Sequence, residues 1–166
     1  GGLAREPPCA PAAWTDARYG EAVVASMAAA LGRMLSIGAT EVILIGASGG
    51  GTLAVLLAER LPNVRAVVGI APNLDLDAWV RLHDYSPLAG SIDPARRPPR
   101  CAPPEVHYAG ARDANVPPAL VHGYARSRPA VQVIEVAGYD HRCCWSVHWP
   151  ARLADALARA AAVHAC

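Results

Sequence analysis

Glu41-Val42-Ile43-Leu44-Ile45-Gly46-Ala47-Ser48-Gly49-Gly50-Gly51-Thr52 decides how the rest of this 166-residue chain is read. Its apolar run is too short for a helix and rich in β-branched residues, the pattern of a strand buried on both faces. The run stops at glycines, and from Thr52 to Leu61 the sequence turns to strong helix formers. A sharp strand-to-helix turn is therefore expected, with Ser48 at its tip. In Gly-x-Ser-x-Gly the serine sits at a strained backbone conformation with its hydroxyl clear of the main chain, and Gly46 and Gly50 are expected to avoid Cβ clashes between strand and helix. The Gly49 amide, at the helix N-terminus, then points at an oxygen on which negative charge develops in acyl transfer, as an oxyanion hole does.

Working outward, Gly1 to Ala13 reads as loop, with Pro7, Pro8 and Pro11 close together. A helix capped by Thr15 or Asp16 is expected next, with Val23, Met27, Leu31, Met34 and Leu35 forming its apolar face and Gly38 as the stop signal after it. Beyond the Ser48 turn, Leu61-Pro62-Asn63 separates the second helix from a strand over Val64 to Ile70. A helix between two buried strands is the parallel crossover unit. A short helix through Leu82, capped by Asp75 or Asp77, leads to an irregular excursion from Ser86 to Pro104 that carries six prolines. Further strands are expected near Glu105 to Ala109 and over Val131 to Val136, with helices from about Pro118 to Arg126 and from about Pro150. The last helix should set Leu153, Leu157, Ala160 and Val163 on one face.

This alternation predicts an α/β fold, a mostly parallel sheet of about four strands with helices on both faces. Loops at the carboxyl ends of such strands collect functional groups. Ser48, Asp113 and His141 each follow a strand there. A serine needs a base to take its proton, histidine serves as that base, and a carboxylate orients the imidazole and stabilises its cation.

On three motifs the chain resembles the C-terminal two-thirds of an α/β-hydrolase: the Gly46 to Gly50 turn, the Gly110-Ala111-Arg112-Asp113-Ala114-Asn115-Val116-Pro117 loop, and Gly138-Tyr139-Asp140-His141. The similarity runs from about Ala22 to the C-terminus. Asn73-Leu74-Asp75, Ser86-Pro87-Leu88 and His141-Arg142-Cys143-Cys144-Trp145 resemble a group of bacterial, often exported members with poorly defined substrates. The resemblance implies a carboxylesterase-like serine hydrolase with Ser48 as nucleophile, Asp113 as acid and His141 as general base. It also implies a periplasmic or secreted location and a small-molecule ester or amide substrate. The family draws its other oxyanion amide from a loop upstream of the turn, after an earlier strand. Here one helix and a loop precede the Ser48 strand, so the chain is expected to be a single domain lacking its N-terminal strands and oxyanion loop. It opens on Gly1 without an initiator methionine, and an upstream portion is expected. Such a fragment should be weakly active at best.

A nucleotide-binding fold competes for the glycine-rich turn. A dehydrogenase fingerprint wants glycine where Thr52 stands, its catalytic lysine cannot exist in a chain whose fifteen basic residues are all arginine, and no acidic residue closes the next strand at Ala71. A P-loop fails for the same missing lysine. A hydrolase-like domain that binds without turnover is the non-enzymatic alternative. The formal net charge of +1 argues against an electrostatic nucleic-acid binder. No stretch is long and apolar enough for a membrane helix. Neither cofactor nor metal is expected: His83, His107, His122, His148 and His164 have no metal-ligand spacing, and structural roles are assigned to them. Trp145 and Trp149 read as core anchors. Of the cysteines, Cys143 and Cys144 are expected to face different directions, because adjacent cysteines pair only in a strained ring. Cys9 is either a buried thiol or half of a disulfide, and Cys101 and Cys166 complete the set.

Overall fold

The strands form over short runs rich in β-branched or aromatic residues, and the stretches of helix formers between them form helices. The computed structural model describes residues 10–36, 38, 40–98 and 102–163. In chain order the elements are α1 (Glu21–Leu35), β1 (Val42–Ala47), α2 (Gly49–Ala58), β2 (Val64–Ile70), α3 (Leu76–His83), β3 (Glu105–Gly110), α4 (Pro118–Ala125), β4 (Val131–Val136) and α5 (Trp149–Ala162). The strands form one parallel sheet in the order β1-β2-β3-β4. None of the described helices is long and apolar enough to cross a membrane.

One face of the sheet carries the larger core. Leu44, Val67 and Ala109 point into it from the strands, and Val24 of α1, Leu56 of α2 and Val121 of α4 close over them. On the opposite face Ala66, Val68, Val106, Tyr108 and Val136 meet Ala156 and Ala160 of α5 and the ring of Trp145. Trp145 is a core side chain, and Trp149, half-buried, packs against the edge of that cluster. The ends of β2, β3 and β4 align through Ile70 with Tyr108 and Tyr108 with Ile134, which brings the loops after them to one rim.

Several details differ from the sequence reading. The strand β1 is not buried on both faces: Ile43 and Ile45 are 38% and 47% exposed. Among the described residues β1 is an edge strand, and α5 packs on β2 and β3 rather than over it. The first helix starts at Glu21 with Gly20 at its N-cap, because Pro11–Trp14 forms a 3₁₀ turn and Thr15 and Asp16 fall in the turn after it. Its inward stripe is Val24, Ala28 and Leu31, whereas Met27 and Met34 face outward. The stripe expected from Val23 is displaced by one residue, because α1 packs on α2 through the stripe that begins at the adjacent Val24. In α5 the most buried residues are Ala156 and Ala160, with Leu153 and Leu157 half-buried at the margin. Asp75, not Asp77, caps α3, accepting from the Ala78 amide at 2.8 Å.

Candidate active site

The turn after β1 is shaped by close approach. Ser48 has φ 51° and ψ −122°, on the left-handed side that a residue with a Cβ adopts only when its surroundings impose it. A Cβ on Gly46 would overlap the backbone of Gly50, and one on Gly51 would lie 2.5 Å from Pro72 Cβ. The position of Gly50 has open space. The second close approach therefore belongs to Gly51 instead of Gly50: α2 begins at Gly49, and its rotation turns Gly50 outward and Gly51 toward Pro72. At the first position of the helix, the Gly49 amide has no carbonyl of an earlier turn to bond.

Ser48, His141 and Asp113 meet at the sheet rim. Asp113 Oδ2 lies 2.8 Å from His141 Nδ1, and His141 Nε2 lies 3.1 Å from Ser48 Oγ. An ionised carboxylate only accepts, so Nδ1 carries the ring proton and donates to it. Nε2 is then an acceptor, and the Ser48 hydroxyl donates to it. The Asp113 side chain is fully buried and that of His141 is 22% exposed. Burial of this carboxylate is compensated, since the Asn115 and Val116 amides both donate to Asp113 Oδ1 at 2.8 Å. Gly110 allows the approach of the two loops, because a Cβ there would sit 2.7 Å from the Tyr139 carbonyl oxygen.

Asp140, the neighbouring carboxylate, faces elsewhere. Its Oδ1 accepts from the amides of Arg142 and Cys143 at 2.8 and 2.6 Å, and the Cys143 bond foremost holds its carboxyl below the usual aspartate range. The Trp145 indole donates to the Asp140 carbonyl at 3.0 Å and secures the same loop. Cys143 and Cys144 are bonded to each other rather than facing apart. Cys144 sits at φ 89°, in the left-handed region. Cys9, Cys101, Cys166 and His164 lie outside the described residues.

The other histidines are tied into the framework. His107 is buried and its Nε2 donates to Glu105 at 2.8 Å, His122 meets Glu135 at 2.9 Å, and His148 Nδ1 meets the Tyr139 hydroxyl at 2.5 Å. Tyr19, Thr52 and Asn73 brace the turn, a role not assigned from the sequence, where Thr52 reads as a helix start, Asn73 falls within a resemblance motif and Tyr19 goes unremarked. A side chain at Gly49 would collide with the Tyr19 hydroxyl. Burial pushes that phenol above its usual range, against the opposing pulls of Arg18 and Thr52. Thr52 Oγ1 donates to the Asn73 carbonyl at 2.5 Å, and the Asn73 amide donates back to the Ser48 carbonyl at 3.3 Å. The bracing role leaves no local signature, because each residue acts through a partner remote in sequence.

Protein-family models and curated sequences give no match to this chain. Solved structures do match. An α/β-hydrolase enzyme from the sediment metagenome of the Mar Chica lagoon superposes with a TM-score of 0.60 at 21% identity, over 81% of this chain and 68% of that one. An acetyl xylan esterase from Paenibacillus sp. R4 gives 0.62 at 18% identity, over 82% and 52%. An esterase from Pyrococcus furiosus gives 0.58 at 15% identity, over 84% and 62%. The chain thus has the α/β-hydrolase fold, in partial form. It spans about half to two-thirds of the length of these three structures.

Proposed function

We propose that the protein is a serine hydrolase that cleaves ester bonds, and by the same chemistry amide bonds, through an acyl-enzyme on Ser48. The observation that carries this is the position of His141, bonded to Asp113 on one nitrogen and to the Ser48 hydroxyl on the other. In the proposed cycle His141 Nε2 takes the Ser48 proton as Oγ attacks the carbonyl carbon. Asp113 stabilises the resulting imidazolium, and His141 returns the proton to the leaving alcohol or amine. Water then repeats the sequence on the acyl-enzyme and regenerates Ser48. The fold and the hydrolase names of its structural neighbours support this reading.

The oxyanion falls to the Gly49 amide. Among the described residues no strand precedes β1 to supply the second donor that the family resemblance implies. Loss of one such donor costs about 10²–10³ in rate, so this 166-residue chain should turn over p-nitrophenyl acetate slowly, and a chain extended at its N-terminus should be faster. Equal rates would remove the oxyanion part of the proposal. A fluorophosphonate probe tests the nucleophile itself: wild type labels at Ser48, while Ser48→Ala gives no adduct and His141→Ala labels far more slowly. Failure of the wild type to label would leave a hydrolase-like domain that binds without turnover.

A further inference from the structure

The loop that carries Asp113 is held from a second direction, by side chains of α3. Trp79 and His83 stand four residues apart on one helix face, and both reach the main-chain carbonyl of Asn115. The Trp79 indole donates to it at 3.0 Å and His83 Nε2 at 2.8 Å. A carbonyl oxygen has two lone pairs, and these two donors fill both. Because a carbonyl has no proton to give, the Nε2 of His83 carries the hydrogen. The imidazole is itself positioned, edge-on to Trp79 with centroids 5.3 Å apart and stacked on Tyr85 at 5.2 Å.

Asn115 links this cluster to the site. Its amide and that of Val116 anchor Asp113 Oδ1, which leaves Oδ2 directed at His141. The start of the same loop has other restraints, the Arg112 amide on the Tyr139 carbonyl at 2.8 Å and the Asp113 amide on the Gly110 carbonyl at 3.0 Å. Its far end is held by the buried Val116 side chain in the larger core and by α3, whose own N-terminus is fixed by the Asp75 cap and by the Asp77 amide on Asp93 Oδ2 at 3.1 Å.

We propose that Trp79 and His83 are positioning residues for the Ser48–His141–Asp113 site, acting through the Asn115 carbonyl to hold the Asp113 carboxylate against His141. The effect on turnover rests on the hydrolase reading above; the effect on the carboxylate–imidazole bond does not. Without the two donors the loop turns about its remaining restraints, Oδ1 loses the alignment of its two amides, and Oδ2 no longer faces Nδ1. A reacting geometry displaced by this much loses rate without losing affinity.

The test replaces Trp79→Phe and His83→Phe together, which keeps two rings and removes both donors. Proton NMR follows the His141 Nδ1 hydrogen, expected to exchange with water at least about tenfold faster in the double variant, with little change in thermal midpoint. Ester turnover should show kcat lower by about 10–10²-fold at unchanged KM. In an Asp113→Ala background the same pair should cost almost nothing further. His83→Gln, which keeps a donor, should recover part of the loss when made beside Trp79→Phe. Unchanged exchange, a loss carried by KM, or full additivity with Asp113→Ala would overturn the proposal. If the double variant does not fold, His83→Phe against His83→Gln reads the same exchange difference. If wild type neither labels nor turns over, the hydrolase reading falls alone, and the exchange rates still decide the role of α3.

Discussion

The two faces of the sheet are made from the same four strands and are covered unequally. On the α1, α2 and α4 face Leu44, Val67 and Ala109 are sealed. On the other, α5 covers Ala66, Val68 and Val106 and leaves β1 uncovered, with Ile45 exposed and Ile43 lining a groove of about 370 Å³. The register makes the contrast sharp, since Ile43 pairs with Ala66 and Ile45 with Val68, so exposed and buried residues are neighbours in one sheet. A continuous apolar run therefore reports membership of a parallel sheet and says little about which element lies over it. The irregularity between Val42 and Ile43 belongs to the same margin: opposite it, Arg65 points out toward Glu41 at 3.7 Å.

Substitutions can break or sharpen this comparison. The largest effect is expected on the sealed face, where Leu56→Ala should cost about 2–5 kcal/mol in urea unfolding, because Leu56 is 2% exposed and α2 cannot collapse into the space. A cost near zero would show that this face is not the main core.

An intermediate effect is expected under α5. The Tyr108 hydroxyl lies 2.7 Å from Asp155 Oδ2 and 2.8 Å from the Arg152 carbonyl, so Tyr108→Phe should cost about 1 kcal/mol at neutral pH. The pH dependence has a defined sign. Arg159 first, and Tyr108 second, hold the Asp155 carboxyl below the usual range. A depressed acid contributes stability above its unfolded pKa and loses it as pH falls through the folded value. The gap between wild type and Tyr108→Phe should therefore narrow as pH drops below about 4. A gap that widens in acid would assign the hydroxyl to another partner. The smallest effect belongs to the bare face: Ile45→Thr keeps the β-branched shape and should change stability by no more than about 0.5 kcal/mol. A loss comparable with that of Leu56→Ala would mean that Ile45 is covered in solution.

Much of the architecture was legible in local patterns. The strands over Val64 to Ile70 and Val131 to Val136 are observed with the bounds read from the sequence, and Asp75 caps α3 as one of the two residues offered. The misreadings occur where two local choices look alike. Gly50 and Gly51 are indistinguishable in sequence, and the rotation of α2 over Pro72 separates them. Val23 and Val24 begin competing stripes on α1, and the neighbour helix chooses. The position of Ser48, Asp113 and His141 after β1, β3 and β4 was readable from the motifs. Their separations of 3.1 and 2.8 Å, and the Trp79–His83–Asn115 linkage, were not.

By itself the sequence determined the order of strands and helices, the sharp turn at Ser48 and the loops in which chemistry-bearing side chains lie. Backbone propensity, glycine and proline placement and apolar periodicity act over a few residues, so they can be read there. Only the tertiary structure decided which sheet face is sealed, that Cys143 and Cys144 join, and that α3 reaches the carbonyl of the loop carrying Asp113, with Trp79 and Asn115 separated by 36 positions. Those outcomes depend on which distant segments pack together, and packing is a property of the whole folded chain.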